Sequence, residues 1–385
     1  MKLVFLSAYF NHHQKPLCDE LYALLGDNNF WFVATEEASE ERKKLGYPSF
    51  SNISYLLKAY ESETELQKIK ELCLNADVVV IGSAPEDFVT QRILDAKLTF
   101  RYNERWFKNK PWYLTGFRGW VNIFKNHLRY KNKPLYMLAA SAYTANDVYS
   151  IGAYKNKVFK WGYFTKVDDL IEVEAPNQGA STSEITPLLW CGRFLRLKHP
   201  ELPILLARSL KDKGYAFHLD MIGIGEELER MKEMAKELDI CDVVSFLGSM
   251  PNQDVISQMR NHDIFLFTSD KREGWGAVLN EAMSSGCAVI TSDKIGSSPF
   301  LIKEGYNGMM FKSEDLDSLY EKTVFLLDNF DIRRNISNNA LNTMRKVWSP
   351  KTAAERLLRL SEFLLQGKTT PYSDGPCSQA LPVKI

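Results

Sequence analysis

Between Ser269 and Asp293 the chain reads SDKREGWGAVLNEAMSSGCAVITSD. The apolar run DIFLFTS ends at Ser269, and CAVITSD opens at Cys287, so a strand, a glycine-bearing turn, a helix and another strand follow in order. That succession is the repeating unit of a parallel α/β sheet. The helix is expected to begin near Gly276 or Ala277, with Glu273 in the loop before it and Glu281 about one turn inside it. Ligands of open parallel sheets bind beyond the carboxyl ends of strands, where helix N-termini present free amides. Gly274 and Gly276 leave room for those amides to approach a phosphate. Two carboxylates beside an anion would repel it, so they are better aimed at hydroxyls, whose hydrogen bonds they accept. A ligand with hydroxyls on both flanks of a diphosphate is a nucleotide sugar. A plain helix start with two solvated glutamates is the alternative.

The same alternation of short apolar runs and helical patterns extends through most of the chain. KLVFLSAY, FWFVAT, ADVVVIGS and PLYMLAASA are the strands expected in the first half. PLLWCGR, FHLDMIGIG, VVSFLG, DIFLFTS, CAVITSD and NGMMF are those of the second. Between them lie amphipathic helices such as EELERMKEMAKEL, whose Leu228, Met231, Met234 and Leu238 recur every three or four residues. The segment from Ile171 to Thr186 loses its apolar pattern and fills with Pro, Gly, Ser and Thr, which marks a linker. The expectation is therefore two Rossmann-like domains, 1–170 and 187–350, joined by 171–186, with a final helix at about 351–366. The polar tail 367–385 is expected to be disordered.

Bulk properties narrow the function classes. A chain of 385 residues exceeds one ordinary core, and its 45% hydrophobic and 25% charged content is that of a soluble globular protein. Zero formal net charge gives no whole-molecule attraction to nucleic acid, and none is expected as a partner. Cys18, Cys73, Cys191, Cys241, Cys287 and Cys377 show neither pairing nor metal-ligand spacing, which suits a reducing cytoplasm. MKLVFLSAYF reads as a first strand rather than a leader, and no apolar run reaches the length of about 18 residues that a membrane span needs. A cytoplasmic location, with peripheral attachment to the inner face of the membrane as an option, is expected.

Two further motifs bear on the ligand. CGRFLRLK places Arg193 and Lys198 just after a strand, where a guanidinium can fork onto phosphate oxygens and an ammonium adds a point charge. A basic surface loop is the alternative, and Arg196 beside them is read as one of its arginines. MIGIGEELERM runs a strand into a glycine loop at Gly223 but lacks the third glycine of the dinucleotide fingerprint, which argues against a nicotinamide enzyme.

In this order, CGRFLRLK, IGIGEE, VVSFLGSMPNQDV, NHDIFLFTSDKREGWGAVLNEAMSSGCAVITSD and IKEGYNGMMF resemble the retaining glycosyltransferases of family 4, closely over Leu188–Lys312. The resemblance implies the GT-B fold, two Rossmann-like domains facing each other across a cleft, with the last helix packing back on the first domain. It implies an NDP-sugar donor and transfer without a metal or other cofactor. Glu273 matches the residue that meets the sugar hydroxyls, and Glu281 the one that meets the ribose. Arg193 and Lys198 match the diphosphate-binding pair. The backbone of Gly274, Trp275, Gly276, Ala277, Val278 and Leu279 matches phosphate and sugar contacts, Gly223 lies in the matching glycine loop, and Gly248 and Met250 match the segment along the base. The acceptor implied is a lipid-linked or growing polysaccharide, such as an O-antigen or capsule precursor. A GT-B-type sugar-nucleotide epimerase and a non-catalytic nucleotide-sugar-binding subunit are the competing readings.

The first domain departs from the family pattern. Many members carry a Gly-Gly loop after the first strand, where this chain has Asn11, His12, His13 and Gln14. His12 or His13 could donate to a sugar or phosphate oxygen there. Further on, 97–133 holds ten basic residues and ten aromatic ones against the single acid Glu104. Such interleaving suits contact with an anionic membrane surface, with core packing and nucleic acid as alternatives.

Overall fold

The computed structural model describes residues 1–37, 50, 52–111, 113, 115–167 and 185–383. The chain divides into two compact units, Met1–Lys166 with Trp348–Ile385, and Val167–Val347. Most of the expected linker, 171–186, lies outside the described residues. No helix among them is long and apolar enough to cross a membrane.

The first unit is built on β1 (Leu3–Ser7), β2 (Phe30–Ala34), β3 (Leu56–Lys58), β4 (Val78–Ile81), β5 (Thr99–Asn103), β6 (Leu135–Ala139) and β7 (Val158–Lys160). They run parallel in the order β3-β2-β1-β4-β5-β6-β7. Leu3 of β1 stands between Phe30 of β2 and Val78 of β4. All of β1 and β4 is buried, as befits strands covered on both faces. Three strands go beyond the sequence reading. β3 and β7 are three residues long, and β5, TFRYN, looks polar until its partners are seen. Arg101 of β5 is buried because Glu86 receives its guanidinium in a bidentate pair at 2.6 and 2.7 Å. The first part of 97–133 is therefore sheet interior, with Phe100 inaccessible to solvent.

The helix Pro350–Leu365, capped by the Ser349 hydroxyl receiving the Thr352 amide at 3.1 Å, packs in this unit against the helix Lys15–Leu25. The expectation of a disordered 367–385 is corrected for its described part, 367–383. The tail bonds to the backbone of β7: the Lys160 amide donates to the Ser378 carbonyl at 2.7 Å, and the Cys377 and Ala380 amides donate to the Lys160 and Val158 carbonyls at 2.8 and 2.9 Å. Cys377 and Ala380 are buried by this pairing. The tail is ordered because a sheet edge otherwise lacking partners supplies its hydrogen bonds.

The second unit holds β8 (Thr186–Cys191), β9 (Phe217–Ile222), β10 (Val244–Gly248), β11 (Ile264–Phe267), β12 (Ala288–Ser292) and β13 (Met309–Phe311). All six are runs that the sequence marks as strands. Their order, β10-β9-β8-β11-β12-β13, is that of a doubly wound dinucleotide-type sheet, entirely parallel. Trp190, Phe194, Leu266, Ile290 and Leu319 pack its core.

Candidate functional site

Strand order in the second unit reverses between β8 and β11, which pair from Leu188–Ile264 to Trp190–Leu266. Connections leaving these two strands turn to opposite sides of the sheet and open a crevice at their carboxyl ends. The loop after β8 carries Arg193 and Lys198, and the loop after β11 carries Glu273. The topology thus brings together residues that lie 75 positions apart.

Thr268, the residue after β11 and wholly buried, joins the two loops. Its hydroxyl accepts from the Trp190 indole at 3.0 Å and donates to the Lys198 carbonyl at 2.7 Å. The Asp270 amide adds a bond to the Leu197 carbonyl at 2.9 Å. With both backbones fixed, the Lys198 ammonium forms an ion pair with the Glu273 carboxylate, and both side chains are about 15% exposed. The ammonium also lies 5.7 Å from the centre of the Phe267 ring. The Arg193 side chain is exposed and forms no hydrogen bond or ion pair with the described residues. Arg196 turns away, donating to Glu227 at 3.2 Å.

Glu281 sits in the helix Val278–Ser284 and accepts from the Asn252 amide group at 3.1 Å. Burial pushes its carboxyl up to about 7, and the Asn252 hydrogen bond only partly offsets that. Cys191, at the end of β8, has its thiol pushed up to about 12, by burial first and by the nearby Glu281 second.

The glycines divide by task. Gly276 has φ +82°, and a Cβ there would stand 2.4 Å from the Phe267 ring. Gly223 has φ +135°, with the Gly192 carbonyl oxygen 1.9 Å from where its Cβ would be, and its amide donates to the Gly248 carbonyl at 2.8 Å. Gly223 therefore serves the crossing of the β8 and β9 loops, within the glycine loop that the sequence reading matched. Gly248 ends β10 at φ +69°, and Met250 is half-buried just before the helix Asn252–Arg260.

The Trp275 side chain is fully buried with its indole donating to Asn280 at 2.9 Å, so its ring belongs to the core and the expected contact concerns its backbone alone. The Leu279 side chain is buried too, and its amide is consumed by the Gly276 carbonyl at 3.0 Å. Gly274 is buried, while Ala277 and Val278 are half-buried at the helix start.

In the first unit, the loop after β1 lies at the equivalent reversal, between β1 and β4. The Asn11 carboxamide receives the His13 and Gln14 amides at 2.9 and 3.1 Å, so it closes the turn before the helix Lys15–Leu25. The rings of His12 and His13 lie 3.9 Å apart. Burial lowers His12, and burial with His12 beside it drives His13 down to about 3, which keeps the imidazoles neutral.

The residues with metal-ligand chemistry that cluster elsewhere are His199, Asp270 and Glu314, whose donor atoms lie within 4.8 Å of one another. Arg272 already neutralises Asp270, donating through Nε at 2.8 Å, and His199 lies at 3.3 Å from the same carboxylate. That makes the cluster a loop brace rather than a vacant cation cradle. Sequence reasoning missed Thr268, Trp190, Asp270 and Asn252, whose service is to hold the residues it named.

Comparison with known proteins bears on the same region. Residues 176–343 match the family model described as glycosyl transferases group 1. An uncharacterized glycosyltransferase of Methanocaldococcus jannaschii is 27% identical over 182 residues, 46% of this chain and 45% of that protein. The N,N'-diacetylbacillosaminyl-diphospho-undecaprenol alpha-1,3-N-acetylgalactosaminyltransferase of Campylobacter jejuni is 25% identical over 194 residues, 48% of this chain and 50% of that protein. The chain thus spans about half the length of the curated relatives it matches. Among solved structures, HepE of Anabaena in complex with UDP superposes with a TM-score of 0.67 over 95% of this chain and 100% of that one, at 14% identity. The fold is shared, and both units are of the Rossmann-like kind that make up GT-B.

Proposed function

From the match of residues 176–343 to the family model of glycosyl transferases group 1, we propose that the chain is a glycosyltransferase that moves a sugar from an NDP-sugar to a lipid-linked or polysaccharide acceptor, with retention of anomeric configuration. The observation that carries the proposal is the Lys198–Glu273 pair at the strand reversal, with Arg193 exposed on the same loop. A diphosphate needs positive charge and a sugar needs hydroxyl acceptors, and this crevice offers both within one hydrogen-bonded frame.

In this reading Lys198 leaves Glu273 for the diphosphate, and Arg193 forks onto its oxygens. As the glycosidic bond to the diphosphate breaks, negative charge grows on the leaving oxygen, and these two cations stabilise it where it develops. No metal ion is assigned a part. Glu273, released, accepts hydrogen bonds from sugar hydroxyls and orients the ring, while Glu281 accepts from the ribose. The acceptor is assigned to the first unit, where His12 and His13, both neutral, are donors for a sugar or phosphate oxygen. The Campylobacter relative, by its name, acts on a diphospho-undecaprenol acceptor, and a comparable lipid-carried acceptor would bring this chain to a membrane surface.

The test is a thermal-shift panel of UDP-, GDP- and ADP-sugars, beginning with UDP-sugars because HepE binds UDP. A donor at a hundred times its Kd stabilises by about 2.7 kcal/mol through mass action. One donor series should raise the melting temperature, and the rise should vanish in Lys198→Ala. No shift with any nucleotide sugar would remove the proposal.

A further inference from the structure

Among the described residues, the helix Gly116–Asn126 leaves one face without a partner. Ile123 is its buried residue, whereas Phe117 is 83% exposed, Phe124 60% and Val121 46%. These three stand at i, i+4 and i+7, so they form a single apolar stripe along one side. Burial elsewhere on the chain sets this apart: the preceding β5 hides its own aromatic, Phe100, completely. Tyr113, 62% exposed, precedes the helix. A shallow cavity of about 450 Å3 lies along the stripe, lined by Trp120, Val121, Phe124, Lys125 and Arg129.

Charge around the stripe is of one sign. From Arg105 to Lys133 the sequence has eight basic residues and no acidic one, in a chain whose formal net charge is zero. Arg118, Lys125 and Arg129 are exposed on the helix or the turn after it. An exposed apolar face flanked by like positive charges is complementary to a surface that is apolar beneath and anionic above. A protein groove would satisfy the stripe but not the excess of cations. A nucleic acid would satisfy the cations but not Phe117, Val121 and Phe124.

We propose that the helix Gly116–Asn126 docks this chain on an anionic lipid bilayer, with Phe117, Val121 and Phe124 entering the interface and Arg118, Lys125 and Arg129 meeting lipid phosphates. The cavity beside Trp120 then receives part of an acyl chain. The proposal deepens the reading of a lipid-carried acceptor, yet its test contains no nucleotide sugar. A failure here therefore leaves the donor assignment to be judged by its own panel.

The full chain is floated with vesicles of phosphatidylglycerol mixed with phosphatidylcholine, and separately with phosphatidylcholine alone. Binding is expected with the anionic vesicles only and should weaken as salt is raised. F117S/F124S and R118E/K125E should each lower the bound fraction about tenfold, because either attraction alone gives marginal binding. The affected side chains are exposed, so melting temperatures should stay at the wild-type value. Wild-type protein that ignores anionic vesicles, or binds them equally in both variants, would overturn the proposal. So would a dimer in gel filtration that F117S/F124S abolishes without any flotation, since that assigns the stripe to a second copy.

Discussion

At the residue scale, Thr268 shows how a neutral side chain can govern a charged one. Its hydroxyl sits between the Trp190 indole and the Lys198 carbonyl. Thr268→Val keeps the shape, strands a buried indole N–H and frees the lysine loop. The expected cost is about 1–3 kcal/mol of stability by denaturant titration, with a rise in donor KM that exceeds the fall in kcat. Glu273→Gln keeps the volume but loses the charge that pairs with Lys198. Turnover should drop about a hundredfold in a transfer assay while the fold is retained. Near wild-type turnover would sever Glu273 from the sugar.

Glu281 makes a pH prediction at the same scale. Its carboxyl titrates at about 7 in the folded chain against an ordinary value of 4.5. The folded state therefore holds a proton that the unfolded chain has already released, so stability declines as pH rises from the ordinary value toward 7. Glu281→Gln should flatten that part of the stability profile. Ribose hydroxyls, by contrast, favour the ionised form, so donor affinity should rise across pH 6 to 8, as read by calorimetry. An affinity independent of pH in that window would show that Glu281 does not receive the ribose.

At the element scale, the loops after β8 and β9 cross so closely that neither tolerates a side chain at Gly223. Gly223→Ala forces a methyl group onto the Gly192 carbonyl at a φ unsuited to alanine. A loss of about 3 kcal/mol is expected from such strain, checked by thermal melting. The same scale shows why some elements were legible and others were not. β11 and β12 are buried on both faces, and IFLF and AVITS declare that in their own composition. β5 does not, because Arg101 is made compatible with burial by Glu86, fifteen residues earlier, and no local pattern carries that fact. Glu273 and Lys198 were legible because loops after apolar strands are where polar side chains stand out. The burial of the Trp275 ring gave no local signal, since its indole has its partner in Asn280, one helical turn onward. Thr268 gave no signal, since its value lies in contacts between segments 70 and 78 residues apart.

At the scale of the whole molecule, the final residues complete the first unit's sheet rather than trail from it. Deleting 367–385 would bare the β7 edge and the sites that Cys377 and Ala380 fill. A fall of several degrees in melting temperature is expected, together with association in gel filtration as the open edge seeks a strand. A truncated chain that stays monomeric and melts as before would show the tail to be an ornament of the sheet.

The Lys198–Glu273 contact has one more consequence, for the order in which ligands leave. In the empty site each charge is the other's counter-ion, so any newcomer competes with an intramolecular partner at no dilution. A complete donor compensates both, offering phosphate to the lysine and hydroxyls to the glutamate. A spent nucleoside diphosphate offers only the first, and Glu273 is left to reclaim Lys198. On the proposed reading the pair works as a return spring: it discriminates against the product, eases its departure, and readies the site for the next turnover.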